Sequence, residues 1–277
     1  STRYVTDRQI QENTVDADKQ VLQPEPAHLP LVFMLVFTQL AIGLFTIEVL
    51  YRESHLARYV AFAAMTIGLS ASVLHLGRPL GAWRAFLGLR RSWLSREIVT
   101  FGGLSVLATA HAFSDLQSQT LAWAVVFTGM IGVFTSVMIY HDTKRPFWAL
   151  PYTALRFYGT ALGIGSAAYI MLVNPSEIFL HLACITIFAL KAIIETKQIT
   201  YARNDEFDPD KKSALLMLHP LINFTVARFS LLTAGVTAIA LAPLFHFSPA
   251  IAFLLLLSSE LFERVLFFKA VAAPKMP

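Results

Sequence analysis

The sequence predicts an all-α integral membrane protein, an eight-transmembrane-helix bundle preceded by a polar, extended N-terminal arm. Three observations carry that reading. The 277 residues are 56% hydrophobic and 14% charged, with a mean hydropathy of +0.58, whereas a soluble domain carries about 25% charged residues. Four runs lack Asp, Glu, Lys and Arg: 26–47, 59–77, 116–141 and 157–176, of 22, 19, 26 and 20 residues. About 20 apolar residues in a helix cross a hydrocarbon core of roughly 30 Å. Helix-breaking residues separate the apolar stretches: Gly77 and Pro79, Pro146 and Pro151, Asn174 and Pro175, Pro209, Pro220, Pro243 and Pro249.

The elements follow in order. Residues 1–28 are mixed in charge, end in prolines and show no apolar period. They read as an arm lying along a partner, and composition fits a solvated tail equally well. They do not read as a signal peptide. A chain opening on Ser1 rather than Met reads as processed, trimmed, or the second half of a longer polypeptide. Residues 29–277 form the membrane domain, with helices expected over 29–50, 57–76, 95–114, 120–140, 152–173, 177–197, 221–242 and 249–270. Helices are the expected spanning form because lipid offers no partner for an open backbone.

Loop charges set the orientation. The side holding both termini and the loops after the second, fourth and sixth helices carries Lys19, Arg78, Arg84, Arg90, Arg91, Arg96, Lys144 and Arg145. It also carries Lys197, Arg203, Lys211, Lys212, Lys269 and Lys275, against Arg52 and Arg58 opposite. Fourteen against two places both termini and the 77–96 loop in the cytoplasm. Without the five loop arginines the count is still nine against two. Several function classes fall away. One cysteine, Cys184, excludes an internal disulfide, a resident iron–sulfur cluster and C-x-x-C-H haem attachment. The net charge of +4 reports membrane orientation, not nucleic acid.

The densest chemistry lies in residues 72–97, SVLHLGRPLGAWRAFLGLRRSWLSRE. His75 ends the second predicted helix and Glu97 begins the third, so both sit near one membrane face. A histidine and a carboxyl there suit a reaction that moves electrons and protons together, such as quinone–quinol conversion. The ring would bind between the second and third helices, with Arg78 and Arg91 supplying charge that stabilises a reduced ring. Plain structural roles compete: His75 bonding a backbone carbonyl, and Glu97 pairing with Arg96 or Arg91. Elsewhere, Glu48 reads as interfacial. Lys191 and Glu195 stand at ion-pair spacing. Glu260, Glu263 and Arg264 could neutralise one another, with Arg228 as a partner across the bundle. Trp83, Trp93, Trp123 and Trp148 include expected interfacial anchors. Two rival functions remain: a b-type cytochrome, with His111 and His181 as haem ligands, and a secondary transporter. The transporter lacks support from any internal repeat, and GTALGIGS reads as a close-packing face.

The stretch LHLGRPLGAWRAFLGLRRSWLSREI resembles the signature of the DmsC family, the membrane anchors of dimethyl-sulfoxide-reductase-type molybdoenzymes. SSELFERVLFFKAVAAPKMP is similar to that family's last helix and tail, and the resemblance covers roughly 29–277. It implies a three-subunit complex in the bacterial inner membrane. A molybdopterin catalytic subunit would connect through an iron–sulfur subunit with several [4Fe–4S] clusters to this anchor, which exchanges electrons with menaquinone or ubiquinone. It implies no haem or cluster in this chain. The family's quinone-site histidine matches His75, in H-L-G-x-P, and its glutamate matches Glu97, in S-R-E-I. The opening STRYV resembles the tail of iron–sulfur subunits, which would make the chain half of a fused polypeptide. The cytoplasmic orientation is similar to that of the cytoplasmic sulfite dehydrogenases.

Overall fold

An apolar chain satisfies its backbone hydrogen bonds most readily within each segment, and this one does so in helices. The structure is a computed structural model that describes residues 20–51, 53–75, 83, 85–113, 118–173, 178–245 and 249–272, and no strand occurs among them. The helices are α1 (Leu29–Leu50), α2 (His55–His75), α3 (Ala85–Gly88), α4 (Trp93–Phe113) and α5 (Gln119–His141). They continue with α6 (Leu150–Val173), α7 (Ile178–Thr200), α8 (Pro209–Leu218), α9 (Ile222–Phe245) and α10 (Pro249–Lys269). All but α3 and α8 are 21 to 24 residues long. Five are long and apolar enough to cross a membrane: α1, α2 as far as Val73, α5, α7 with the turn after it, and α9 as far as Pro243.

Two prolines act differently from the sequence reading. Pro209 opens α8 instead of only breaking the chain, because a first-turn proline has no intrahelical N–H to lose and the Asp208 side chain accepts from Lys211 N at 2.7 Å. Pro243 lies inside α9, which runs on to Phe245. The ten-residue α8 itself was not expected. It is held by Ser213 Oγ, which accepts from Ala272 N at 3.1 Å.

The first helix is the core. It is apolar on all sides, the mark of a helix surrounded by others, and 15 of its 22 residues are buried. It packs on α2, α5, α6 and α10. The crossing with α6 is backbone on backbone: a Cβ on Gly43 would stand 1.7 Å from the Ala161 carbonyl oxygen, and one on Gly165 2.4 Å from the Gly43 carbonyl carbon. Small residues permit such close approach where the hydrophobic effect does not drive helices together.

Aromatic rings join α5, α6 and α10. Tyr140 meets Phe267 edge-on at 5.0 Å and Phe157 at 5.6 Å. Trp148 stacks on Phe267 and donates from Nε1 to the Phe267 carbonyl at 2.9 Å. Trp148 is therefore a buried ring, not an interfacial anchor, because its one polar atom finds a backbone partner inside. Ahead of α1, Glu25 N donates to Lys269 O at 3.1 Å, laying residues 20–28 against the end of α10. Residues 1–19 of the predicted arm lie outside the described residues, as do Arg52, Arg78, Arg84 and Lys275.

Candidate functional site: a cavity with a buried carboxyl

Glu97 sits in the second turn of α4, on the face that also carries Leu94, Ile98, Phe101 and Ser105. That face turns toward α2 and, with α1 and α5, encloses a cavity of about 590 Å³. Met34 closes it from α1, Leu69, Ser72 and Val73 from α2, and Ile139 and Tyr140 from α5. Glu97 is the one carboxyl among these lining residues and is 6% exposed. Its Oε1 accepts a short hydrogen bond from Ser136 Oγ. The pairing with Arg96 or Arg91 weighed from sequence is not what forms. Arg96 instead donates to the carbonyls of Leu89 (2.8 Å) and Arg90 (3.1 Å) and lies 4.1 Å over the Trp93 ring, fastening the loop onto α4.

The other expected site residues are placed as follows. His75 closes α2, three residues beyond Ser72 of the cavity wall, and its side chain lies outside the described residues. Arg78 lies wholly outside them. Arg91 is exposed on the turn before α4, its N–H bonded to Gly88 O at 3.0 Å, and does not line the cavity. Sequence reasoning missed Ser136 and Tyr140. They stand one turn apart in a long uncharged run, so one face of α5 carries both. The signal was present, but neither residue type is rare enough in an apolar helix to single out.

Two further polar clusters occupy the interior. Glu48 is 1% exposed. Arg58 donates to its Oε1 through Nε (3.2 Å) and Nη2 (2.7 Å), and His111 Nε2 lies 3.3 Å from its Oε2. The expectation of an interfacial Glu48 is therefore corrected: α1, α2 and α4 converge there, and each contributes one member of a buried cluster. Arg58 is likewise an interior charge rather than a loop charge. His111, read from sequence as a haem-ligand candidate, is engaged with Glu48; His181 is buried on α7.

The second cluster is larger. Lys191 Nζ donates to Thr160 Oγ1 at 2.6 Å and to Glu260, while Glu195 takes a two-pronged bond from Arg228, Nε at 3.0 Å and Nη2 at 2.8 Å. This replaces the Lys191–Glu195 pair expected from spacing: a guanidinium fork matches a carboxylate better than an ammonium does, and both α7 side chains face other helices. Arg228 Nη1 also lies 3.0 Å from Glu260 Oε1. Glu263 stands 3.5 Å from Arg156 Nε and 3.5 Å from Arg264 Nη2. Arg156 donates to Gln198 Oε1 at 2.5 Å, and Arg264 to Gln39 Oε1 at 3.0 Å. Four cations and three carboxylates thus meet among α6, α7, α9 and α10, each at most 5% exposed.

Among the described residues no group of three His, Cys, Asp or Glu is arranged to hold a metal ion. The lining of the cavity fits an organic ligand instead: mostly apolar walls, one carboxyl, two serines, one hydroxyl-bearing ring and a volume within the range of small-molecule sites.

Comparison with known proteins agrees with the sequence resemblance. The chain is 32% identical over 168 residues to the C component of the anaerobic dimethyl sulfoxide reductase of Haemophilus influenzae, covering 54% of this chain and 60% of that one. It is 29% identical over 155 residues to the C component of the sulfite dehydrogenase of Allochromatium vinosum, covering 50% and 46%. Over 219 residues it is 25% identical to YnfH, an anaerobic dimethyl sulfoxide reductase polypeptide of Escherichia coli, covering 74% and 77%. The chain spans about half the length of the first two of these relatives, 60% and 46%. The model of the DMSO reductase anchor subunit family, DmsC, matches residues 25–269, and the chain belongs to that family.

Proposed function

We propose that this chain is the quinone-reactive membrane anchor of a heterotrimeric molybdopterin oxidoreductase. It exchanges electrons between the quinone pool, menaquinone or ubiquinone, and an iron–sulfur subunit carrying [4Fe–4S] clusters, which serves a molybdopterin catalytic subunit. The observation that supports this best is Glu97, a buried carboxyl in a cavity whose walls are otherwise mostly apolar, Ser72, Ser105 and Tyr140 being the exceptions. Quinone and quinol interconvert with two protons, and a carboxyl beside the ring takes up or releases one where water does not reach. Ser136 holds the Glu97 carboxyl in place. His75 is assigned the hydrogen bond to a ring oxygen, Glu97 the proton route to the cytoplasmic face, and Arg78 and Arg91 the positive charge that stabilises a reduced ring.

The same reading takes all eight long helices as spans of the bacterial inner membrane. α4, α6 and α10 have the length for it, and Arg156 of α6 and Glu260, Glu263 and Arg264 of α10 are turned inward and paired. Both termini and the 77–96 loop then face the cytoplasm, where the loop and the 1–28 arm meet the iron–sulfur subunit. The A. vinosum relative is named for sulfite oxidation, which makes sulfite a candidate substrate of the catalytic subunit.

The test compares Glu97→Gln and His75→Gln complexes with wild type. Quinone-linked turnover is expected to fall by about 100-fold or more, the usual worth of a positioned proton-transfer group. Assembly and dye-linked activity of the partner subunits should persist. Full quinone-linked activity in Glu97→Gln overturns the proposal.

A further inference from the structure

We infer that the cavity is entered sideways from the bilayer, between α2 and α4, and that the polyprenyl tail of a lipid-soluble quinone lies in this opening with Gly102 as its sill. The inference rests on the quinone reading above and adds to it a route and a residue that discriminates by tail.

The cavity is graded in polarity. Its inner end is buried and holds Glu97 and Tyr140, with Met34 and Phe101 behind them. Its outer wall is apolar and open: Val73 of α2 is 54% exposed, Leu94 of α4 is 55% exposed, and Gly102 is exposed beside them. An occupant that matches this order has a hydrogen-bonding ring and a long apolar tail. Gly102 lies five residues past Glu97, so at 1.5 Å per residue it stands about 7.5 Å further into the bilayer. A ring bonded to Glu97 would therefore leave its tail pointing toward the midplane.

The glycines give an independent argument. A glycine inside a helix lowers stability unless its small size is used. The other glycines with described surroundings use it: added Cβ atoms at Gly43, Gly68, Gly129 and Gly165 would come within 3.0 Å of a neighbouring helix. Among the described glycines, only Gly102 and Gly103 would meet nothing within 4 Å. Among the described residues no neighbour explains them. Gly102 lines the cavity and Gly103 does not, so an open sill explains the first and makes the second a control.

The experiment uses the assembled complex in lipid nanodiscs and two photoreactive quinones with the same ring, one carrying its azide on the ring and the other at the end of a prenyl tail. Labelled peptides are mapped by mass spectrometry. The ring probe should mark the surroundings of Glu97 and Tyr140, and the tail probe residues 69–73 and 98–105. Gly102→Trp should cut labelling by the tailed probe roughly tenfold or more, the effect of filling a space the ligand needs, while a tailless ring probe still labels. Gly103→Trp should change neither. If Gly102→Trp assembles poorly, Gly102→Leu narrows the same opening. A ring probe at Glu97 with the tail probe elsewhere, or full tailed labelling in the Gly102 variants, overturns the lateral route and leaves the quinone reading standing. A ring probe that never marks the cavity overturns both.

Discussion

Glu260→Gln should destabilise the protein more than Lys191→Met, and the two together should cost less than the sum. The argument is a count of partners and charge. The cluster around Glu260 holds four cations, Arg156, Lys191, Arg228 and Arg264, against three carboxylates, Glu195, Glu260 and Glu263. Removing Lys191 removes the surplus positive charge, and Glu260 keeps Arg228 at 3.0 Å. Removing the Glu260 charge leaves two surplus cations, and Lys191 retains only neutral acceptors, the Thr160 hydroxyl and the amide oxygen of the substituted side chain. Breaking a buried pair costs about 3–5 kcal/mol in soluble proteins. A chain unfolded within a bilayer keeps some polar partners, which lowers such values. On that scale Glu260→Gln should cost about 3 kcal/mol and Lys191→Met about 1–2 kcal/mol, with the double variant near the smaller figure. The coupling is then about 3 kcal/mol, at the upper end for side chains in contact. Reversible unfolding in bicelles, followed for wild type, both singles and the double, measures it. Additivity within about 0.5 kcal/mol, or a Lys191 variant costlier than the Glu260 variant, would refute the reasoning.

Two further predictions concern packing and the cavity. Gly43→Ala should destabilise by about 3 kcal/mol, near the upper end for overpacking, because its Cβ meets the Ala161 carbonyl at 1.7 Å, a backbone atom that cannot rotate away. Gly102→Ala, with open space around it, should instead stabilise by up to about 1 kcal/mol through helix propensity; thermal unfolding of the two variants side by side checks the contrast. Ser136→Ala should cost about 1–3 kcal/mol by leaving Glu97 without its donor. Its quinone-linked turnover should fall less than that of Glu97→Gln, since the proton-carrying group remains.

How much of this was legible in the sequence depended on whether a signal was local. Helix positions were, because apolar runs and prolines are local, and the long helices begin and end within a few residues of expectation. The role of Pro209 was not, because a proline that starts a helix and one that stops it look alike until the cap at Asp208 is seen. Glu97 was legible as an ionisable group in an apolar setting, whereas its partner Ser136 lies 39 residues away on another helix. Charge pairing failed for the same reason. Spacing of four along α7 paired Lys191 with Glu195, but the partners that win, Glu260 and Arg228, come from α10 and α9. Arg228 was expected to pair across the bundle, and it does, with Glu260 among its partners. Glu48 at the end of an apolar run looked interfacial because nothing nearby in sequence shows Arg58 and His111 converging on it.

The polar clusters also explain how a membrane bundle keeps a cavity open. α1, α2 and α4 are fastened at one end by Glu48, Arg58 and His111. The cavity lies toward the other ends of the same three helices. From Glu48 back to Met34 on α1, and from His111 back to Glu97 on α4, the distance is 14 residues, about 21 Å along the helix. α1 and α2 stay in contact there, since a Cβ on Gly68 would stand 2.9 Å from Thr38 N and 3.1 Å from Met34 O, so the space opens between α2 and α4. Closing it would bury Glu97 more deeply beside Leu69, Val73 and Leu94, and burial of a polar group costs free energy unless a partner comes with it. On the opposite flank, α6, α7, α9 and α10 are riveted by the seven-charge cluster, and the rings of Tyr140, Phe157 and Phe267 join that flank to the cavity wall. In a bilayer, where apolar contact gives helices little reason to prefer protein over lipid, directional polar contacts are what can hold one side rigid while the other stays open.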